Sequence, residues 1–503
     1  MRPLKYMQKK DDKRTKNDKL VKHKTIASIV TPLGEGGIGK VMVSGPNAFT
    51  IVNKIFTGKG IADLQNAVNQ KLYYGYIHDK GQRLDEVILH IIKKEGSFTG
   101  EDIVEINCHG GIRVVMRIYE CLQSSGAEGV PQDALLQQSF ENNKMDFVQK
   151  EALQAVVHAH TKLGVKVLLD QHAGALSSAL RQGLEIIEGI ERAFLKESWY
   201  HGAIIHTDQY RGEEKSLIPN LAREGREALL NEKMLSSLEN HIRCLLETAS
   251  LGMALTTPQV LVILGKPNVG KSTIINAILG EERMLVHHEP GTTRDYVSEL
   301  ISVHGVPFEI MDTAGIRDTE DILESMGIEM ALEQLQRADK VMAVFDNSRP
   351  FDQEDAEILS ALSSWSKKKN ADDLHQNVNT YKIIPVVNKC DLAARLDRKK
   401  IESAVTQPLY SLSARNRDRL EDLKERLVGE LDTTYKPMRP IVFTRRQYCL
   451  LAKADVVVKQ AKNYLNTGDK TCMISGLIDE LKKIFTACLE GHGTINIRVE
   501  TTR

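Results

Sequence analysis

The chain has 503 residues, with 67 Lys+Arg balanced by 67 Asp+Glu and a formal net charge of zero. That length predicts about three domains. The balance excludes attachment to nucleic acid through the overall field, so any such site must be a local patch, and no apolar run is long enough to span a membrane.

Residues 1–24 hold ten Lys/Arg against three Asp and few apolar residues, which predicts a disordered, solvated basic tail. It lacks the apolar core of a secretory signal, and its aspartates argue against a transit peptide. From Ile26 to about Gly126, short alternating or apolar runs with glycines predict a mixed sheet with flanking helices. Cys108 beside His109 reads as a small residue at a strand end before two glycines, since no other Cys or His clusters nearby. Seven scattered cysteines favour reduced thiols in the cytoplasm. From Asp146 to about Met253 the pattern is helical, with Val148, Ala152, Ala155, Val156 and His160 near the spacing of one face.

Leu246 to Pro258 is the expected entry to an α/β segment. Val260–Leu264 is a short, wholly apolar run, the pattern of a buried parallel strand. Residues 265–272 read GKPNVGKS, and residues 273–280 read as a helix closed by Gly280. A strand, a glycine loop and a helix N-terminus aim successive N–H groups at one anion. In this cradle, Asn268, Val269, Gly270, Lys271, Ser272 and Thr273 surround the phosphates. Lys271 reaches the terminal ones and Ser272 holds magnesium. Asn268 either ligates a monovalent cation or only tolerates a left-handed turn.

Downstream pieces select the nucleotide. Thr293, in the loop PGTTRD, is a second magnesium ligand on a segment that orders with the γ-phosphate. Phe308–Asp312 is a strand leading into Asp312, Thr313, Ala314 and Gly315, where Asp312 holds the metal through water and Gly315 brings an N–H to the γ-phosphate. Ile316 follows and cannot orient a water, so the catalytic group must come from elsewhere. Glu324 is the candidate, with a solvated helix-surface glutamate as the alternative. Asp352 to Gln376 is polar and lysine-rich and reads as a surface elaboration. Ile383–Val387 is the next strand, running into Asn388, Lys389, Cys390 and Asp391. The Asp391 carboxylate can accept both N–H groups of guanine, a donor pair that adenine lacks, which favours GTP. Ser413 and Ala414 close the base pocket after the strand at 409–412. Tyr435 to Pro440 is the exit, and a second helical stretch runs from Arg446 to about Ala487, so the α/β unit is inserted between two halves of one bundle.

The chain resembles the tRNA-modification GTPase family MnmE (TrmE). The likeness runs through residues 31–39 (TPLGEGGIG), 97–105 (SFTGEDIVE), 108–111 (CHGG), 143–146 (NKMD), 291–295 (GTTRD) and 312–317 (DTAGIR). It implies an α/β plus all-α protein with a disordered tail at 1–24. A tetrahydrofolate-binding, dimerising α+β domain follows at 25–142, and a helical domain at 143–256 and 435–503. The P-loop GTPase domain with a mostly parallel sheet lies between them at 257–434. The implied function is potassium-dependent GTP hydrolysis by paired GTPase domains. It is coupled to carboxymethylaminomethyl-type modification of the tRNA wobble uridine by a homodimer, with a flavin protein resembling MnmG (GidA). By position, Asn268, His287, Glu289 and Thr292 would ligate potassium, and Glu324 would be the general base beside Lys271. Glu105 and Lys144 stand at folate-pocket positions. Met42 and Gln138 stand where the family has arginines, and the C-terminal motif around Cys488 is blurred. These departures leave open a GTPase switch without folate chemistry, acting on RNA or ribosome assembly; a third reading, a nucleotide-binding structural protein without turnover, is opposed by intact Lys271, Ser272, Thr293, Asp312 and Glu324.

Overall fold

A computed structural model describes residues 24–207, 217–282, 298–311, 335–372, 382–466 and 471–491. The tail at 1–23 and the residues after 491 therefore lie outside the described residues. The chain divides into two compact units, residues 1–150 and 151–503.

The first unit is built on a seven-stranded sheet in the order β3-β4-β5-β6-β2-β1-β7. The strands are β1 (Ile26–Ile29), β2 (Ile38–Ser44), β3 (Phe56–Gly58), β4 (Lys71–Asp79), β5 (Gln82–Ile92), β6 (Ile103–His109) and β7 (Glu128–Gly129). All neighbours are antiparallel except β1 and β7, so the sheet is mixed as the alternating runs predict. One face alternates Val41, Val43, Leu89, Ile91, Val104 and Ile106 inward. Helices α1 (Ala48–Asn53) and α2 (Ile112–Ser124) cover that face, contributing Phe49, Val52, Ile118 and Leu122. Cys108 is buried there as the small residue expected, its thiol donating to the Gly39 carbonyl at 3.3 Å. Helix α3 (Asp133–Glu141) places Leu135 against Met42 and Ile103.

The second unit contains a six-stranded sheet in the order β13-β12-β11-β8-β10-β9. Strands β8 (Gln259–Leu264), β10 (Val306–Met311), β11 (Lys340–Asp346), β12 (Ile383–Asn388) and β13 (Tyr410–Ser411) are mutually parallel, and only β9 (Ser298–Val303) is reversed. Every residue of β11 and β12 is buried, the signature of strands covered on both faces. Helices precede and follow this sheet in the chain. These are α4 (Phe147–Val157), α5 (Lys162–His172), α6 (Ala175–Thr207), α7 (Leu217–Glu247) and α8 (Ala249–Thr256) before it, and α13 (Arg445–Asn466) and α14 (Thr471–Glu490) after it; α9 (Lys271–Glu282), α10 (Gln353–Asp372), α11 (Arg398–Ala404) and α12 (Leu420–Val428) belong to the α/β unit itself. Helix α6 packs on α14 and α7 on α13, so the two halves form one bundle around an inserted α/β unit.

Two expectations are corrected. Residues 353–372 form α10 (Gln353–Asp372), which buries Leu359, Leu362 and Trp365 against the sheet and is no surface elaboration. The three apolar anchors are interspersed with exposed Ser360, Ser363, Ser364 and Lys367, which give the run its polar appearance. His160 lies beyond the end of α4 and is exposed; Thr161 instead caps α5 by accepting from the Gly164 N–H at 3.0 Å.

Candidate functional site

The parallel strands β8, β11 and β12 end along one edge, where an open α/β sheet places its ligand. The cradle 265–272 joins β8 to α9 (Lys271–Glu282). The helix continues through Gly280, so that glycine does not close it; the buried face set by Ile274, Ile275 and Ile278 outweighs its weak propensity. Asn268 and Gly270 adopt left-handed backbones, with φ of +61° and +97°. Such turns between a strand and a helix N-terminus fold amide groups around an anion. A Cβ on Gly270 would sit 2.2 Å from the Asn388 amide nitrogen, and one on Gly265 2.6 Å from the Val344 carbonyl, so both glycines are required by close approach. The Lys271 ammonium donates to the carbonyls of Gly265 (2.8 Å) and Lys266 (3.0 Å), over the mouth of the loop. Ser272 and Thr273 are exposed at the helix start, as the expected contacts to metal and phosphate require, and Val269 is buried beneath the loop.

The base-side loop is tied to this cradle by two side chains. Asn388, at the end of β12, donates to the Val269 carbonyl at 2.9 Å and accepts from the Ala414 N–H at 3.0 Å. Lys389 donates to the Asn268 carbonyl at 2.6 Å and to Asp346 at 2.7 Å. Asp391 is exposed at the rim, and Ser413 donates to its carboxylate at 2.7 Å. That hydrogen bond, with help from its own backbone amide, holds the Asp391 pKa below the usual carboxylate range, so the carboxylate remains an acceptor at neutral pH.

Residues brought together here are thus Asn268 to Thr273, Asn388, Lys389, Asp391, Ser413 and Ala414. They fit a guanine nucleotide: amides and a cation at one end, an ionised carboxylate at the other. His287, Glu289, Thr292, Thr293, Asp312, Thr313, Ala314, Gly315 and Glu324 lie outside the described residues. The left-handed turn at Asn268 accounts for an asparagine there by itself.

Sequence reasoning missed three residues. Asp346 at the end of β11 is buried; burial disfavours its charge, but hydrogen bonds from Lys389 and Ser348 outweigh this and lower its pKa. Asn347 accepts from Arg398 at 2.8 Å, and Arg398 also donates to Ser411 at 3.2 Å, bracing the loop that carries Asp391. The only available signal was the polar run at the end of an apolar strand.

In the first unit, Met42 stands opposite Glu105 on the sheet and is buried with Ile103 and Leu135. The Glu105 carboxylate accepts from Lys40 at 3.0 Å and stands 3.3 Å from His90. The Gln138 amide oxygen accepts from Ser44 at 2.7 Å, and Lys144 is exposed. Cys488 is buried in the second unit, where burial pushes its thiol up to about 12, unsuited to nucleophilic chemistry. Among the described residues no group of three or more His, Cys, Asp or Glu forms a metal cluster, and no helix is long and apolar enough to cross a membrane.

The family model described as GTP-binding protein TrmE N-terminus matches residues 25–144, and that of the 50S ribosome-binding GTPases matches residues 260–389. The tRNA modification GTPase MnmE of Alkaliphilus metalliredigens (strain QYMF) is 33% identical over 458 residues, covering 88% of this chain and 95% of its own. The protein of the same name from Clostridioides difficile (strain 630) is 32% identical over 468 residues, 91% of this chain and 97% of its own. That of Lactiplantibacillus plantarum (strain WCFS1) is 34% identical over 407 residues, 80% of each chain. With the phosphate cradle and the guanine-side loop held together at one sheet edge, the chain belongs to the MnmE family of tRNA modification GTPases.

Proposed function

We propose that the protein hydrolyses GTP to drive carboxymethylaminomethyl-type modification of the tRNA wobble uridine, working in the cytoplasm as a homodimer with an MnmG-like flavin protein. The observation that carries the GTP reading is the double bridge of Asn388 and Lys389, which locks the phosphate cradle to the loop bearing an ionised Asp391. The domain limits at 25–142, 143–256, 257–434 and 435–503 are part of the same proposal.

In turnover, the amides of the cradle and the helix N-terminus bind the β- and γ-phosphates, and Lys271 leaves its carbonyl partners to meet the γ-oxygens. Asp391 accepts the two guanine donors. Ser272 and Thr293 would hold magnesium, and Asn268, His287, Glu289 and Thr292 would hold potassium; these cations supply charge that offsets the one developing on the transferred phosphoryl group. Glu324 orients or deprotonates the attacking water. Turnover measured in potassium and in sodium tests this, together with Glu324→Ala. We expect the variant to lose hydrolysis while GTP affinity stays nearly intact; turnover within a few-fold of the parent refutes the role.

A second reading, a GTPase switch acting on RNA or ribosome assembly without folate chemistry, is favoured by one observation. Met42 is packed in an apolar cluster and Gln138 is bonded to Ser44, so neither supplies the cation that a carboxylated or formylated ligand would pair with. Glu105 and Lys144 alone would hold a tetrahydrofolate derivative, and Lys40 and His90 already attend Glu105. Calorimetry with 5-formyl-tetrahydrofolate decides: micromolar binding supports the modification reading, and its absence with intact GTP turnover supports the switch.

A further inference from the structure

The second residue of the cradle, Lys266, is unusual in being buried: its side chain is 7% exposed. Its ammonium contacts Asp352 at 2.7 Å and Asp355 at 2.8 Å. Desolvation works against its charge, yet the two carboxylates outweigh it and raise its pKa. The partners are themselves organised. The Asp355 N–H donates to the Asp352 carboxylate at 3.3 Å, and the Asp352 N–H donates to that of Asp355 at 3.2 Å, a reciprocal cap at the start of α10. Lys266 is therefore tied to the first turn of a helix whose far side is fixed by Leu359, Leu362 and Trp365 in the core.

Among the described residues, three side-chain ties join the cradle to neighbouring segments. Two, at Asn268 and Val269, come from the guanine-side loop. The third is Lys266, and it adjoins the carbonyls of Gly265 and Lys266 on which the Lys271 ammonium rests. We propose that Lys266 is a positioning residue for GTP turnover: clamped by Asp352 and Asp355, it fixes the backbone frame from which Lys271 addresses the phosphates. The inference rests on the GTPase reading of the site, but it assigns the phosphate end a support independent of the base end.

The test compares GTP turnover, melting temperature and preference for GTP over ITP in the parent, Lys266→Met, Lys266→Arg and the double variant Lys266→Met/Asp355→Leu. The double variant avoids leaving the nearly inaccessible Asp355 carboxylate without a counter-ion, so it decides the matter if Lys266→Met fails to fold. Misplacing a reacting group by about an ångström costs up to about a hundredfold, so both Met-bearing variants should lose roughly ten- to a hundredfold in kcat. Preference for GTP over ITP should not change, and Lys266→Arg should recover most of the rate. A folded double variant turning over GTP within about threefold of the parent, or an arginine variant no better than methionine, overturns the proposal. A parent that turns over no GTP overturns the reading of the site itself.

Discussion

Asn388 is the most exacting place to perturb this site, because one buried amide serves both loops. Its side chain donates to Val269 and accepts from Ala414, and Asn388, Val269 and Ala414 are 2%, 1% and 4% exposed. Truncation to alanine leaves a carbonyl and an N–H buried without partners, at about 1–3 kcal/mol each, so about 2–6 kcal/mol in total. In the nucleotide-free protein the loops can part and let water reach those groups. With GTP bound they must stay in place, so a large share of the cost appears as lost affinity. Even about 2 kcal/mol is roughly thirtyfold in Kd. Asn388→Asp keeps the acceptor for Ala414 but sets a carboxylate oxygen against the Val269 carbonyl, so its affinity should be no better than that of alanine. Calorimetric GTP titration of the three proteins, with circular dichroism to confirm folding, measures this. A folded Asn388→Ala protein binding GTP within threefold of the parent would refute the view that this amide couples the two ends of the site.

Three more outcomes are expected. Gly270→Ala forces a side chain into a left-handed backbone at about 1–2 kcal/mol and drives its Cβ into Asn388, so GTP should bind at least about tenfold more weakly while the far-ultraviolet spectrum is unchanged. Lys340, buried at the start of β11 with its ammonium donating to the Leu427 carbonyl, has its pKa pushed down by burial to about 8. The unfolded chain then binds the extra proton between about pH 8 and 10.5, so stability should rise with pH across that window by up to about 3 kcal/mol. Urea titrations at several pH values should show that slope, and Lys340→Met should lose that contribution to it. Cys488 should resist iodoacetamide in the native protein at pH 8 while the exposed Cys244 reacts; mass spectrometry of the alkylated peptides reads this, and rapid labelling of Cys488 would contradict its burial.

The parts of the site carried by short contiguous runs were legible in the sequence. An apolar strand followed by GKPNVGKS, and another followed by Asn388 to Asp391, announce themselves because strand, turn and helix start must be adjacent in the chain. What joins those runs was not legible. The bonds from Asn388 to Val269 and from Lys389 to Asn268 span more than a hundred residues, and the grip of Asp352 and Asp355 on Lys266 nearly ninety. No local period encodes such pairs. Helix α10 was misread for a related reason. Three anchors suffice to dock a helix on a sheet, and Leu359, Leu362 and Trp365 are outnumbered in the sequence by the polar residues between and after them. Gly280 does not end α9 because the buried face set by Ile274, Ile275 and Ile278 outweighs the weak helix propensity of one glycine, and no local signal in the sequence weighs the two.

The helical bundle has a consequence for how the protein is made. Its first pair, α6 and α7, ends at Glu247, while the helices that cover it begin at Arg445. The intervening chain of nearly two hundred residues leaves a ribosome at about 5–20 residues per second, so the interval is roughly 10–40 seconds. Through that interval Leu180, Ile187 and Ile190 on one helix and Leu235, Leu238 and Ile242 on the other await their partners. The nucleotide-binding unit is completed first and can fold while tethered to an unfinished bundle. Nascent chains should thus recruit holding chaperones through this stripe, and release from them should wait on the last turn of α14.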